Sequence, residues 1–151
     1  MRRTIILGAV LGAAMLAGCV RGLELPPNFV AMEKADLGHY DFRAVSADGV
    51  VLALSVRDNP KKGTLEFWSE AIRNELTDRG YSLVKTEAVE SSSNVPGTML
   101  TMEEDLRGQK FTYVLAVFVK SREVLIAEAG GKADLVRPRT NEITKSLLSA
   151  K

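Results

Sequence analysis

The apolar residues from position 40 onwards alternate with polar ones on both sides of Asp48-Gly49. Within each of the two runs, alternate side chains fall on one face, as they do in a half-buried strand. An Asp-Gly pair between two such runs is a strong hairpin signal, because these residues tolerate the positive φ angles of a tight turn. The pattern therefore predicts two antiparallel strands, near 40–46 and 50–57.

Helical spacing replaces this alternation over residues 64–79. The apolar stripe consists of Leu65, Trp68, Ile72 and Leu76. Thr64 stands where the hydroxyl of an N-cap belongs, and Gly80 where a left-handed C-terminal cap belongs. These signals predict an amphipathic helix. Trp68 has two interpretations, a ligand-stacking group or a core residue, and its place on the apolar stripe favours the core.

Four further runs have the length and alternation of β-strands. They cover residues 81–89, 98–104, 110–120 and 123–129. The third run is apolar on both faces, which is typical of a strand at the centre of a sheet covered on both sides. A closing helix is predicted over 138–149. The order ββαββββα with short connections predicts an α+β fold, in which helices pack on an antiparallel β-sheet of about six strands.

The N-terminal residues show the three zones of a secretory signal peptide. Met1-Arg2-Arg3 is basic, residues 4–16 are almost wholly apolar, and the residues up to Cys19 are small. The apolar zone is shorter than the ~20 residues that a membrane-crossing helix needs. Residues 1–18 are therefore predicted to be a cleaved signal peptide.

Leu16, Ala17, Gly18 and Cys19, directly after this apolar zone, resemble the lipobox of bacterial lipoproteins. The resemblance implies a diacylglycerol on the thiol of Cys19 and an N-acyl chain such as palmitate. Several acyl chains anchor a protein stably, whereas a single myristoyl chain does not. The alternative is a standard signal-peptidase site with Ala17 and Gly18 as its small residues. Cys19, the only cysteine of the chain, would then be a free or intermolecularly paired thiol.

Val20 follows the expected anchor, and lipoproteins without aspartate at this position tend to be sorted to the outer membrane of didermal bacteria. The resemblance thus implies the periplasmic side of a membrane, with the outer membrane favoured over the inner if the source is didermal. Residues 19–37 contain Pro26-Pro27 and have no apolar period, so they are predicted to be the lipidated N-terminus and a tether. Residues 38–151 are predicted to form a single α+β domain.

The mature chain combines an opening hairpin from Tyr40 to Leu54, a helix that leads into Gly80-Tyr81-Ser82-Leu83, and the apolar run Phe111–Phe118 ahead of a last strand and helix. Together these features resemble the Mog1/PsbP-like fold, which includes small bacterial lipoproteins of the DcrB type. The likeness covers roughly residues 38–150. Members of that fold are accessory proteins without shared catalytic residues. The resemblance therefore implies a binding or assembly role and transfers no site residue to this chain.

Charge and ligand counts exclude several classes of function. The chain has 20 basic and 19 acidic residues. Its short basic patches, Lys61-Lys62 and Lys120 with Arg122, lack interleaved aromatic residues, so nucleic acid is not a predicted partner. One cysteine and one histidine are too few for a zinc or iron site, which needs three or four such ligands. No metal and no cofactor are predicted.

Three polar clusters could suggest a functional site, but each has a simpler structural interpretation. Glu103-Glu104-Asp105 is predicted to be a solvated turn, because a calcium loop needs more oxygen ligands at a defined spacing. His39, with Asp36 and Asp41 nearby, is predicted to be a surface histidine, because no nucleophile-elbow motif accompanies it. Gly130-Gly131-Lys132 lacks the phosphate-loop consensus and is predicted to end a strand.

These observations predict a membrane-anchored lipoprotein with a non-catalytic binding or assembly role in the bacterial cell envelope. Its expected partners are a membrane, through the covalent lipid on Cys19, and an unidentified envelope protein. The alternative is a lipoprotein that binds a small ligand or a lipid in a groove between sheet and helix. That alternative requires an apolar pocket above ~300 Å³.

Overall fold

The computed structural model describes residues 21–151, and within them seven strands form one antiparallel sheet. The strands are β1 (Phe29–Ala31), β2 (Phe42–Ser46), β3 (Val51–Asp58), β4 (Ser82–Glu90), β5 (Pro96–Leu106), β6 (Gln109–Val119) and β7 (Glu123–Lys132). Their order across the sheet is β1-β2-β3-β7-β6-β5-β4. The predicted α+β class with an antiparallel sheet is confirmed, with one strand more than the six expected.

Helices cover both faces of this sheet. They are α1 (Leu65–Asp78), α2 (Ala133–Val136) and α3 (Thr140–Leu148), with short 3-10 turns at Lys34–Asp36 and Arg137–Arg139. Successive residues of a strand point to opposite faces, so the doubly apolar β6 contributes to two cores. Val114, Ala116 and Phe118 pack with the α2 and α3 side chains, whereas Leu115 and Val117 pack with those of α1.

The residues that predicted a turn and two helix caps in the sequence form that turn and those caps in the structure. Gly49 adopts φ 94° in the β2–β3 turn. The Thr64 hydroxyl accepts a hydrogen bond from the Phe67 N–H at 3.2 Å. Gly80 adopts φ 101°, and the Tyr81 N–H donates to the Leu76 carbonyl at 3.0 Å, which closes α1 with a Schellman cap. Trp68 packs against the core under α1, as predicted.

Residues 21–37 differ from the predicted tether, because they pack on the domain. Leu23 and Phe29 are buried, and β1 pairs with β2 to supply the seventh strand. The Gly22 N–H donates to the Lys151 carbonyl at 3.1 Å, and the Glu24 N–H donates to the Ser149 hydroxyl at 2.7 Å. Leu23 and Phe29 are buried because this segment packs against distant parts of the chain, among them the end of α3. These two apolar residues show no helical or strand period, so the sequence pattern did not predict their burial.

An ion pair joins the β2–β3 turn to the start of α3. Arg139 Nη1 donates to Asp48 Oδ1 at 3.0 Å, and the Ser46 hydroxyl donates to the same oxygen at 2.5 Å. Hydrogen bonding from Arg139, followed by that from Ser46, lowers the pKa of Asp48 from 3.8 to about 2. A carboxylate held ionised in this way stabilises the fold at neutral pH.

An Asp48→Asn substitution is expected to lower the thermal midpoint at neutral pH and to have progressively less effect in acid. The folded pKa of Asp48 is depressed, so its contribution is fully present above pH 3.8 and is lost as the pH falls through about 2. Thermal unfolding of both proteins across this range measures the difference, with Asp36→Asn as a control at an exposed acid without an ion pair within residues 21–151. A difference between wild type and Asp48→Asn that stays constant down to pH 2 would contradict the expectation.

Candidate functional site

The predicted lipidation site lies outside the described residues. Leu16, Ala17, Gly18 and Cys19 precede Arg21, where the described part of the chain begins. Within residues 21–151 no helix is both long enough and apolar enough to cross a membrane. Lipidation of Cys19 therefore stays a prediction from the sequence.

The acidic run at residues 103–105 lies at the end of β5, and its side chains do not converge. Glu103 accepts a hydrogen bond from Arg137 Nη2 at 2.6 Å, and that contact lowers the pKa of Glu103. Glu104 points to the opposite face, because successive strand residues alternate, and Asp105 Oδ1 accepts from the Gly108 N–H at 2.8 Å. Across residues 21–151 no group of three or more His, Cys, Asp or Glu side chains is placed to hold a metal ion.

His39 is exposed, as predicted, and its ring lies against Tyr40 with 4.1 Å between the ring centroids. It lines a narrow pocket of about 90 Å³ together with Ser55 and Glu75. No hydrogen bond joins His39 to either side chain among the contacts of residues 21–151. A nucleophile activated by a hydrogen-bonded base is therefore not assembled at this position.

A cleft lined by aromatic and charged side chains lies on the α1 face of the sheet, near the C-terminal end of that helix. It encloses about 340 Å³ and is lined by Tyr40, Arg43, Tyr81, Tyr113 and Glu128, among others. We call it the tyrosine cleft. The Tyr113 hydroxyl on β6 donates to Glu128 Oε2 on β7 at 2.5 Å. The Tyr81 ring lies 5.6 Å from the Tyr113 ring, centroid to centroid, and the Arg43 guanidinium lies 5.8 Å from the centre of the Tyr40 ring.

Glycine at position 130 makes room for this arrangement. Gly130 is the cross-strand partner of Tyr113, and a Cβ atom there would lie 3.0 Å from the Tyr113 ring. Gly130 and Gly131 were predicted to end the last strand, but β7 continues through them to Lys132. The strand continues because both residues pair with β6.

The electrostatics of the tyrosine cleft keep its hydroxyl groups protonated. Burial, followed by the nearby charge of Glu128, raises the pKa of Tyr113 far above its ordinary value. The same two causes raise the pKa of Tyr40 to about 12. A general base works best with a pKa near the operating pH, so neither tyrosine suits that role. Arg43 Nε is buried with no hydrogen-bond partner within residues 21–151. The Tyr113 proton is already donated to Glu128, so the chemistry that the cleft offers is aromatic stacking and hydrogen-bond donation from the Arg43 guanidinium.

A Glu128→Gln substitution is expected to lower the pKa values of Tyr40 and Tyr113, because a negative charge would no longer oppose tyrosinate formation. The chain has three tyrosines, so few groups contribute to the ultraviolet absorbance of tyrosinate during an alkaline titration, and Tyr40, with its pKa raised to about 12, is the one followed. Glu104→Gln is the matched control, because the Glu104 charge adds to burial in raising the pKa of Tyr81. If the titration of Tyr40 is the same in Glu128→Gln as in wild type, the assigned role of Glu128 is wrong.

A second concavity lies between α1 and the β4–β5 edge of the sheet. This groove encloses about 590 Å³, with Leu65, Ser69 and Arg73 on its helix side and Thr98 and Leu100 on its strand side. It exceeds the ~300 Å³ that a small-ligand site requires. The adjoining strand β4 is the last in the sheet and is exposed along most of its length. It is irregular between Leu83 and Lys85, which is a common way of protecting an edge strand from further pairing.

The sequence did not identify the tyrosine cleft, because its side chains come from separate strands and loops. Tyr40 and Arg43 belong to the first hairpin, whereas Tyr113 and Glu128 lie far along the chain on β6 and β7. One signal was present in the sequence. Glu128 is the single charged residue within the apolar run of β7 from Val124 to Ala129, and a charge at such a position usually has a partner.

No protein-family model matches this chain, and no curated protein matches its sequence. Several solved structures are similar to it in fold, and among them are two with TM-scores above 0.5. LpqN of Mycobacterium tuberculosis, described as involved in cell envelope biogenesis, is 13% identical with a TM-score of 0.63 over 83% of this chain and 78% of that one. The cyanobacterial PsbP of Synechocystis, CyanoP, is 11% identical with a TM-score of 0.55 over 90% of this chain and 95% of that one. Identities this low show a similarity of fold alone, and that similarity supports the resemblance to the PsbP-like fold noted in the sequence.

Proposed function

We propose that this chain is a membrane-anchored lipoprotein with a non-catalytic binding or assembly role on the periplasmic side of the bacterial cell envelope. The observation that carries the proposal is Leu16-Ala17-Gly18-Cys19, placed directly after a basic and an apolar segment. The fold is similar to that of LpqN, which is described as involved in cell envelope biogenesis. That likeness supports an envelope role.

The chemistry of the described residues favours binding over catalysis. The hydroxyls of Tyr40 and Tyr113 are held protonated beside Glu128, which does not suit proton abstraction at neutral pH. Among the contacts of residues 21–151, His39 has no hydrogen bond that would orient it as a base. A partner or ligand bound at the tyrosine cleft would meet the Arg43 guanidinium and the rings of Tyr40 and Tyr81.

Mass spectrometry of the mature protein tests the anchor directly. The expected chain begins at Cys19 and is heavier than its sequence by a diacylglycerol and one acyl chain. Separation of the two membranes on a density gradient then tests the sorting implied by Val20, with the outer membrane expected. An unmodified Cys19, or a mature chain that starts elsewhere, would overturn the proposal.

Affinity capture from membranes solubilised in mild detergent tests the binding role. One envelope protein should be retained in constant proportion, and it should be missing when an unrelated lipoprotein is the bait. Repeated recovery of the chain alone would count against a protein partner.

A lipoprotein that binds a small ligand or a lipid is the second candidate, favoured by the groove of about 590 Å³ beside α1. Native mass spectrometry of gently extracted protein should then show a bound species of constant mass. Thr98→Trp, which fills the groove, should remove that species, whereas Asn74→Trp, at an exposed position of α1, should not. A wild-type protein free of any bound species would refute this candidate.

A further inference from the structure

Arg21, Gly22 and Leu23 contact the domain at one end of the sheet through ion pairs, a backbone hydrogen bond and apolar packing. Arg21 Nη2 lies 3.0 Å from Glu123 Oε2, and Arg21 Nη1 lies 3.5 Å from Asp41 Oδ1. The next residue, Gly22, bonds to the carbonyl of Lys151, and Leu23 is buried in the core. The segment that was predicted to be a tether is therefore part of the folded domain from residue 21.

Very little chain separates this point from the predicted lipid. Cys19 stands two residues before Arg21, and two extended residues span at most ~7 Å. The headgroup layer on each side of a bilayer is of about the same thickness, since headgroups add about 10–15 Å in total to a core of about 30 Å. If Cys19 carries lipid, Arg21 and the end of the sheet that holds it must lie close to the headgroups.

The same end of the sheet brings together two basic patches that are far apart in the sequence. β3 ends at Asp58 opposite Glu123, where β7 begins. Loop 59–63 therefore adjoins turn 120–122, and the Asn59 N–H donates to the Arg122 carbonyl at 2.7 Å. Lys62 and Arg122 line one shared cleft of about 400 Å³. We call loop 59–63, turn 120–122 and Arg21 the anchor end.

Basic side chains outnumber carboxylates at the anchor end. Lys61, Lys62 and Arg122 are exposed, and no carboxylate lies within 4.0 Å of them among the ion pairs of residues 21–151. Lys120 shares the carboxylate of Glu123 with Arg21. Of the nearby carboxylates, Asp41 and Glu123 lie within ion-pair distance of Arg21, and Asp58 adjoins the loop at the end of β3. The loop and the turn beside the predicted anchor thus present three exposed basic side chains that form no ion pair within residues 21–151.

We propose that the anchor end lies against the membrane, with Lys61, Lys62 and Arg122 at the phosphates of anionic lipid headgroups. The inference rests on the proposed function, because it requires the lipid on Cys19. Two causes act together. The short spacer holds the basic side chains close to the bilayer, within or near the ~8 Å over which charges interact at physiological salt, and anionic lipids attract basic residues that lie near their surface.

This orientation directs the tyrosine cleft away from the membrane. The cleft is lined by Gly49, Val51 and Gly131, which lie at the β3 start and β7 end, opposite the anchor end. A partner in the periplasm would therefore reach the cleft without displacing lipid. The orientation also distinguishes this protein from one on a long tether, whose domain would turn freely.

Fluorescence quenching of the full lipidated chain tests the proposal. With Cys19 blocked by lipid, an introduced cysteine is the one free thiol for a fluorescent label, because the chain has no other cysteine. Ser121→Cys places the label at the anchor end, and Gln109→Cys places it in the opposite turn, at an exposed position. In vesicles of phosphatidylcholine and phosphatidylglycerol that contain headgroup-labelled quencher lipid, quenching should be several-fold stronger at position 121. Equal quenching at the two positions would overturn the proposal.

Charge reversal separates the electrostatic contribution to the membrane-facing orientation from the contribution of the short spacer. Lys61→Glu, Lys62→Glu and Arg122→Glu together should weaken quenching at position 121, with each removed positive charge lowering the equilibrium constant for the membrane-facing orientation about fivefold. The control reverses two exposed basic residues at the opposite end, Arg107 and Lys110, and should leave the quenching at position 121 unchanged. Vesicles of phosphatidylcholine alone should reproduce the effect of the triple variant. Unchanged quenching in both tests would refute the role of anionic lipid headgroups.

Mass spectrometry of the same samples distinguishes a failure of the proposed function from a failure of the proposed membrane contact. If Cys19 carries no lipid, the proposed function fails and the chain does not bind vesicles through an anchor. If Cys19 carries lipid but the two labels are quenched equally, the anchor stands and the oriented contact is wrong.

Discussion

A Cys19→Ser variant is expected to incorporate no lipid, which is the largest effect that any single substitution in this chain should produce. The thiol is the atom that would receive the diacylglycerol, and serine offers no equivalent acceptor to the lipid-transfer enzyme of the lipoprotein class. Without several acyl chains, each contributing ~0.8 kcal/mol per buried methylene, stable anchoring is lost. Incorporation of labelled palmitate in growing cells should fall to background, and the chain should remain an unprocessed precursor.

A second cysteine elsewhere provides the control for Cys19. Ser121→Cys in the Cys19→Ser background restores one thiol to the chain at an exposed position, but it does not restore the lipobox. It should therefore stay unlabelled. Labelled palmitate in either variant would show that lipid is attached at some other site or by some other route.

A Gly97→Ala variant is expected to have the largest effect on stability among single-methyl additions. Gly97 on β5 is the cross-strand partner of Phe118 on β6. A Cβ atom at residue 97 would lie 2.5 Å from two Phe118 ring carbons and 2.7 Å from the Val117 carbonyl oxygen. Phe118 is one of the largest fully buried side chains within the described residues, at 1% exposure, so its ring has no free space. The free energy of unfolding should fall by about 1–3 kcal/mol or more.

Gly22→Ala provides the matched control for Gly97→Ala. A Cβ atom at residue 22 would meet the Phe42 ring at 3.6 Å, which is ordinary van der Waals contact, so its effect should be within about 0.5 kcal/mol. A double variant, Gly97→Ala with Phe118→Leu, should lose less stability than the two single variants together, because the smaller side chain makes room for the methyl group. Urea unfolding of wild type, the three single variants and the double variant measures these differences. Equal stabilities for Gly97→Ala and Gly22→Ala would contradict the proposed clash.

Elements whose signals are local were predicted well. The turn at Asp48-Gly49 and the caps Thr64 and Gly80 act through hydrogen bonds to residues a few positions away. The apolar stripe of α1 and the doubly apolar strand β6 reflect regular periods of a helix and a strand. A pattern of this kind survives in any fold that buries those faces, so the sequence predicts it without knowledge of the partners.

Elements that depend on distant partners were missed. β1 is three residues long and forms because β2 offers an unpaired edge. The last helix begins at Thr140, two residues later than predicted, because a 3-10 turn at Arg137–Arg139 precedes it. The run at residues 103–105 was predicted to be a turn, yet it continues β5, because pairing with β6 extends to Leu106.

The sequence by itself determined the α+β class and most of the elements, and its resemblance to a lipobox at residues 16–19 predicts a lipid on Cys19. Only the tertiary structure decided that residues 21–37 pack on the domain, that Tyr40, Tyr113 and Glu128 line one cleft, and that two separate basic patches meet beside the predicted anchor. The physical reason is the separation along the chain of the groups in contact. Tyr113 and Glu128 are 15 residues apart, and Arg21 and Glu123 are 102 residues apart. Contacts over such separations follow from strand order and register, which no local period specifies.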